Sequence, residues 1–322
     1  MLSVVVPVYR NEASIPDLLE ELEGVQRAAG RPFEAVFVVD GSPDRSAELL
    51  AEGLAKRPFA SQLLVLSRNF GSFAAIREGL RAARGDVCGV MAADLQEPPS
   101  LVLEMQRRLA EEGYDIALGV RESRADPIPS RLASAAFWWL HRLVVQREVP
   151  RGGVDVFAVT RTVRDHLMAL PEQNSSLIGL LFWLGFRRTE VRYRRRPRHT
   201  GKSSWTFARK LRYSLDSLFA FTDWPIRILS ITGLAGMALA IGLGLVVLWA
   251  RLSGRIPVPG YAAMVLVVMF FGGLNSLSLG IVGEYVWRTF ENTKGRPASV
   301  VARHEAYSGR AEPTPVQGAP GP

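Results

Sequence analysis

Ser3-Val4-Val5-Val6-Pro7-Val8 is a short apolar run with polar residues directly behind it, Tyr9-Arg10-Asn11-Glu12. From Glu12 to Ala29 the apolar residues Ile15, Leu18, Leu19, Leu22 and Val25 recur at the spacing of one helix face. The same pairing repeats: Ala35–Val39 then Ser46–Ala55, Leu63–Leu66 then Phe73–Ala83, and Val87–Met91 then Leu101–Glu112. Tyr114–Leu118, Val154–Val159 and Thr189–Arg195 read as further strands, and residues 126–150 as a helix ending before Pro150. Strand–helix alternation at this spacing predicts right-handed crossovers, a mostly parallel sheet and an α/β, Rossmann-like domain. Ligands of such sheets sit beyond the carboxyl ends of the strands. The first strand runs into no GxGxxG, and GxxxxGK[ST] is absent, which argues against a dinucleotide oxidoreductase and a P-loop NTPase.

The chain has 322 residues, of which 48% are hydrophobic and 22% charged, so a large core is available and wholesale disorder is excluded. A single cysteine, Cys88, excludes a disulfide framework and a Cys-rich metal site; it reads as a core residue. The four histidines are scattered without HExxH spacing, which excludes a zincin. No secretory leader is expected before the first strand. Between Arg187 and Arg212 stand eleven Lys/Arg and one acid, Glu190, so that block is +10 and the remainder of the chain −2. Ile228 to Ala250 and Ile256 to Gly283 are uncharged, and each exceeds the ~20 helical residues a bilayer core demands. Basic residues flank the pair on its outer sides (Arg209, Lys210, Arg212, Arg227, then Arg288, Lys294, Arg296), which predicts two transmembrane helices with both ends cytoplasmic. A basic block beside a membrane hairpin points to lipid or phosphate rather than nucleic acid. Phe207, Leu211, Leu215, Leu218 and Phe219 share one face of an expected interfacial helix. Gly272, Ser276 and Gly280 recur every four residues, the spacing of a close helix contact and a weak pointer to a homo-oligomer. The organisation expected is a catalytic domain over 1–204, an amphipathic juxtamembrane helix over 205–225, the helix pair over 226–287, and a cytoplasmic, largely disordered tail over 288–322.

Three carboxylates fall where a parallel-sheet enzyme uses them: Asp40 in Val39-Asp40-Gly41-Ser42, Asp94 in Ala92-Ala93-Asp94-Leu95-Gln96, and Asp155 in Gly153-Val154-Asp155-Val156. Together with Val6-Pro7-Val8-Tyr9-Arg10-Asn11-Glu12, Asp40-Gly41-Ser42-Pro43-Asp44, Arg68-Asn69-Phe70-Gly71, Ala83-Arg84-Gly85-Asp86, Asp94-Leu95-Gln96-Glu97-Pro98-Pro99 and Arg198-His199-Thr200-Gly201-Lys202-Ser203, they form a pattern over about residues 2–225. That pattern resembles the family 2 glycosyltransferases of the GT-A type, within them the polyprenyl-phosphate (dolichol-phosphate mannosyltransferase-like) group.

The resemblance implies inverting transfer of a sugar from a nucleotide-diphosphate sugar to a polyprenyl phosphate at the cytoplasmic face of the cell membrane. It implies Mg²⁺ or Mn²⁺ held by Asp94 and Gln96, since hard cations prefer oxygen donors and bridge phosphates. It places Asp40 at the nucleotide base and Pro7, Tyr9 and Glu12 in the first nucleotide-pocket loop. Arg121 and Arg131 suit the diphosphate, because guanidinium pairs with phosphate bidentately. A phosphate monoester is already largely ionised at neutral pH, its second pKa being ~6. The acceptor therefore needs positioning cations more than a strong base, and Arg198, Lys202 and Ser203 suit that role. Asp155 matches the acidic position near the acceptor, as a base or as an orienting group. The chain departs from the family pattern twice: Val39 stands where a first acid precedes Asp40, and Ala92 replaces the first acid of DxD. These departures motivate an alternative, a weakened or non-catalytic membrane scaffold that binds lipid phosphate or a partner. A processive polysaccharide synthase is disfavoured by the absence of QxxRW.

Overall fold

The computed structural model describes residues 1–121, 154, 156–170, 176–196, 224–253, 261–309 and 314–315. The expected helix over 126–150, residues 205–223 of the expected interfacial helix and the tail beyond 315 lie outside the described residues.

The alternation read from the sequence becomes β1 (Leu2–Val8), α1 (Ile15–Ala29), β2 (Phe33–Val39), α2 (Ser46–Leu54), β3 (Ala60–Leu66), α3 (Ser72–Ala82), β4 (Val87–Val90), α4 (Ser100–Glu111) and β5 (Ile116–Arg121). There follow β6 (Val156–Thr160), α5 (Arg161–Ala169), α6 (Leu177–Trp183) and β7 (Arg188–Tyr193). Local chemistry sets the boundaries. A proline lies in the first turn of α1, and Gly30 at φ +59° closes that helix in the left-handed region. Thr160 and Ser176 cap α5 and α6 through side-chain oxygens that accept backbone N–H groups.

The described strands form one sheet in the order β7-β5-β6-β4-β1-β2-β3, with β8 (Val301–Tyr307) and the two-residue β9 (Thr314–Pro315) beyond β3. β4, β1, β2 and β3 are mutually parallel, as predicted, while β6 and β8 run against their neighbours. β1 and β2 are buried on both faces. Val4, Val6, Val8, Phe37 and Val39 pack in the cluster that includes α1, α2 and α4, whereas Val5, Val36 and Val38 pack in the one that includes α3, α5 and α6. That two-sided burial explains why β1 and β2 read as unbroken apolar runs. Cys88 is fully buried, as expected; burial pushes its thiol up to about 11.

Two helices are long and apolar enough to cross a membrane, α7 (Trp224–Leu252) and α8 (Tyr261–Thr293). No residue of their most apolar windows, Ile226–Leu243 and Val267–Thr293, is fully buried in the protein. A core helix of a soluble domain would bury such a face, so lipid is the solvent these side chains fit. Gly236 of α7 faces Phe271 of α8, where an added Cβ would lie 3.1 Å from the ring. Gly272 and Gly280 open onto free space, and Ser276 turns its hydroxyl back to the Gly272 carbonyl at 3.0 Å.

The sequence reading of 288–322 needs correction. α8 continues to Thr293, and residues 301–307 are not disordered tail but the strand β8, antiparallel to β3 from Ser61↔Tyr307 to Leu66↔Val301. The catalytic sheet therefore extends beyond the expected 1–204. β3 offers a free edge of unpaired backbone groups, and β8 covers it. Ser299 donates to the buried Glu78 carboxylate of α3 at 2.8 Å, and Ser67 N–H bonds the Val300 carbonyl at 2.9 Å. His304 Nε2 meets Gln62 Oε1 at 2.9 Å. Gln62 and Ser3 in turn hydrogen-bond the buried Glu34 carboxylate.

Candidate active site

After β3 the chain crosses to the far side of β1 to form β4, so the topological switch point lies between β1 and β4. The loops leaving their carboxyl ends carry Tyr9–Glu12 and Ala92–Glu97. This is where an open parallel sheet holds its ligand. Ser14 Oγ bridges the two loops, 3.0 Å from both the Asn11 and Ala93 carbonyls.

The first loop is tightly tied. Arg10 sits at φ +56°, an uncommon conformation for a residue with a side chain. Its N–H donates to Ser42 Oγ at 2.8 Å. Glu12 N–H donates to Asp44 at 3.2 Å, and Arg45 N–H returns a bond to Glu12 Oε2 at 3.1 Å. Burial pushes the Asp44 carboxyl up, but hydrogen bonds from Ser42, Ser46 and Glu12 outweigh it and hold the group below its ordinary range. Pro7 pairs in register with Val38 inside the sheet. Tyr9 presents an exposed ring with the Arg10 guanidinium 5.4 Å from its centroid. Tyr9 thus offers a face to a ligand, while the Glu12 carboxylate braces the neighbouring loop.

Asp40 is 3% exposed, and both its oxygens are used: Phe70 N–H donates at 2.7 Å and Gly71 N–H at 2.9 Å. Burial raises its pKa, against the lowering effect of those bonds and of Arg68. Gly41, at φ +55°, brings this turn so near the next loop that a Cβ would fall 2.2 Å from the Arg68 carbonyl carbon. The motifs around Asp40 and Arg68-Asn69-Phe70-Gly71, distant in sequence, are one bonded unit. Val39 is 1% exposed and belongs to the core. An acid placed there in this backbone would be buried.

Asp94 is half-buried and accepts Gln96 N–H at 3.3 Å across the turn made by Leu95 at φ +54°. Gln96 is buried; its side-chain carbonyl accepts from the Arg195 guanidinium, and its backbone carbonyl accepts Arg196 N–H at 2.8 Å. Arg196 also reaches Glu21 at 3.2 Å. Arg121 ends β5 at the same end of the sheet, paired in register with Tyr193 of β7. Asp94, Gln96, Tyr9, Glu12, Asp40 and Arg121 thus share the carboxyl edge of one sheet. Arg131, Asp155, Arg198, Lys202 and Ser203 lie outside the described residues. Arg195 was not singled out by sequence reasoning. It is one arginine in a block of eleven basic residues, and only the path of the chain after β7 lays it on the Asp94–Gln96 turn.

The donors suit a hard divalent cation in one respect: the Asp94 carboxylate and the Gln96 carbonyl are oxygen ligands. Among the described residues no group of three His, Cys, Asp or Glu could hold a metal ion. Mg²⁺ commonly takes one or two protein carboxylates and completes its shell with substrate phosphate and water, and that mode fits Asp94.

A mostly parallel sheet with its ligand loops at the switch point, followed by two helices apolar enough to cross a membrane, is an α/β architecture of the GT-A-like kind. The sequence comparisons narrow the class. Residues 3–160 match the family described as glycosyl transferase family 2. An uncharacterized glycosyltransferase of Bacillus subtilis, YkcC, is 32% identical over 94% of this chain and 93% of its own length. The undecaprenyl-phosphate 4-deoxy-4-formamido-L-arabinose transferase of Pseudomonas paraeruginosa is 33% identical over 98% of this chain and 94% of its own. The chain belongs to glycosyl transferase family 2. Among solved structures, mannosyl-3-phosphoglycerate synthase from Rubrobacter xylanophilus is 15% identical, covering 81% of this chain and 79% of its own, with a TM-score of 0.47.

Proposed function

We propose that the protein transfers a sugar, with inversion, from a nucleotide-diphosphate sugar to a polyprenyl phosphate at the cytoplasmic face of a membrane. One observation carries the lipid acceptor. The chain leaves α8 at Thr293 and enters the sheet at Val301, against the carboxyl end of β3, on the edge where the site loops gather. The seven intervening residues (Lys294–Val300) can reach at most about 25 Å. The mouth of the site is thereby tethered to the end of the apolar helices. Because β8 and the N-terminal strands share one sheet, α7 and α8 must leave the catalytic side and return to it. That geometry agrees with the basic flanks, which favour a cytoplasmic catalytic domain and termini. At the same end, Ile226 of α7 and Val282, Val286 and Phe290 of α8 line an apolar groove of about 390 Å³ that suits an isoprenoid chain.

In this reading Tyr9 and the braced Pro7–Glu12 loop receive the nucleotide, and the unit around Asp40 shapes the base pocket. Arg121 and Arg131 pair with the diphosphate. Asp94, with Gln96, would hold Mg²⁺ or Mn²⁺, which when bound offsets the charge that develops on the departing diphosphate. Arg198, Lys202 and Ser203 hold the acceptor phosphate in line with the anomeric carbon, and Asp155 accepts a proton or orients Arg198. Attack from the face opposite the leaving group inverts the anomeric centre. A second copy would pack on the open Gly272–Ser276–Gly280 face of α8.

The test is transfer of radiolabelled sugar to extracted polyprenyl phosphate with Mg²⁺ or Mn²⁺, across nucleotide-sugar donors. Label should enter the lipid with the wild type, and Asp94→Ala should abolish it. Full activity of Asp94→Ala would refute the assignment at Asp94. Val39 and Ala92 motivate the non-catalytic scaffold, which requires no metal-dependent nucleotide-sugar binding by calorimetry.

A further inference from the structure

Gln96 has a single side-chain oxygen able to ligate a cation, Oε1; its amide nitrogen only donates. That oxygen accepts from the Arg195 guanidinium. Gln96 is buried, whereas Arg195 is exposed on a long side chain. The next residue is pinned at both ends, its N–H to the Gln96 carbonyl at 2.8 Å and its guanidinium to Glu21 at 3.2 Å. The backbone at Arg195 therefore stays over the Asp94–Gln96 turn whichever way its side chain points. A guanidinium and a divalent cation on one oxygen repel each other, so one excludes the other. The turn also lacks a second acid, because Ala92 stands two residues before Asp94.

We propose that Arg195 is a diphosphate-binding residue that exchanges partners. It occupies Gln96 Oε1 when no donor is present, and moves to the donor's diphosphate when the nucleotide binds, which frees that oxygen for the cation arriving with it. This rests on the nucleotide-sugar reading above and adds to it an order of events: the protein alone has little affinity for the cation, and the metal enters as its nucleotide complex. No covalent bond is made or broken in the exchange. A guanidinium suits the second partner better than the first, because paired N–H donors match two phosphate oxygens and both partners are charged.

The experiment uses the full-length chain in detergent micelles. Calorimetry follows UDP, GDP and CDP in EDTA, and electron paramagnetic resonance follows Mn²⁺ without nucleotide. Arg195→Ala should weaken the nucleoside diphosphate that binds in EDTA by roughly tenfold or more. It should also strengthen binding of Mn²⁺ alone by at least about threefold, since a competing charge is gone. Arg192→Ala, an exposed arginine on β7, controls for net charge and should change neither. Arg195→Ala values within about twofold of wild type in either measurement overturn the exchange. A wild type that binds none of the three nucleotides, with or without Mn²⁺, overturns both the exchange and the functional reading beneath it.

Discussion

Replacing Asp40 by alanine tests whether this carboxylate is first a brace of the fold. It accepts Phe70 N–H at 2.7 Å and Gly71 N–H at 2.9 Å while 3% exposed. Hydrogen bonds to a charged group contribute about 1.5–3 kcal/mol each, and a buried N–H left without a partner costs a similar amount. Part of this is offset because the mutation also removes a carboxylate whose burial is itself unfavourable, as its raised pKa records. The expected net loss is about 3 kcal/mol. For a catalytic unit of about 200 residues, at ~2–4 °C per kcal/mol, that lowers the melting temperature by about 6–12 °C. Circular dichroism of the full-length protein in detergent reads the shift, and hydrogen exchange reads the amides of Phe70 and Gly71 directly. Asp40→Asn retains one acceptor and should fall between. A melting temperature for Asp40→Ala within about 2 °C of wild type, with those amides still protected, would show that the carboxylate is not needed to hold this turn.

Gly41→Ala should be at least as damaging as Asp40→Ala, because its Cβ would fall 2.2 Å from the Arg68 carbonyl carbon and φ is +55°; the same melting experiment checks it. Burial, then the charge of Arg84, holds the His304 imidazole below its ordinary 6.5. The unfolded chain therefore takes up the proton first as pH falls, and stability is lost from about pH 6.5 downward through the folded value. Protection factors across 301–307, corrected for the intrinsic slowing of amide exchange in acid, should fall as the pH drops below about 6.5, and His304→Gln should flatten that dependence. The Cys88 thiol, pushed up to about 11 and fully buried, should resist iodoacetamide in the native protein and react once the chain unfolds. On that background, Ser253→Cys after α7 should be labelled by an impermeant maleimide from outside intact cells. Ser308→Cys, after β8, should be labelled only after permeabilisation; the reverse pattern would invert the proposed topology.

Much of the sheet was legible in the sequence because β1 to β4 obey a local rule. Strands buried on both faces must be apolar throughout, and the helices between them carry one apolar face, so each element announces itself within a dozen residues. Such alternation puts ligand loops beyond the carboxyl ends of the strands, where Tyr9, Asp40 and Asp94 lie, whereas the switch point between β1 and β4 appears only in the folded strand order. β8 was not legible. Val301-Ala302-Arg303-His304-Glu305-Ala306-Tyr307 has three polar residues at its centre and no apolar alternation, and it becomes a strand because β3 has an unpaired edge waiting for it. Site residues divide the same way. Glu12 and Asp40 belong to the motifs that carry the resemblance, yet much of their hydrogen bonding braces the next loop, which spacing along the chain cannot reveal.

From the order of residues alone came the α/β class, the apolar helix pair, the family and the sheet edge on which the candidate site residues lie. These rest on periodicity, length and short motifs, all properties of neighbours in the chain. Tertiary structure alone decided that Val39 is core, that Asp40 binds the loop at Phe70 and Gly71, that Arg195 rests on Gln96, and that the segment after α8 rejoins the catalytic sheet. Each of those is a contact between parts of the chain at least 30 residues apart or a burial set by such contacts. Their partners are chosen by packing in three dimensions, and no local pattern encodes that choice.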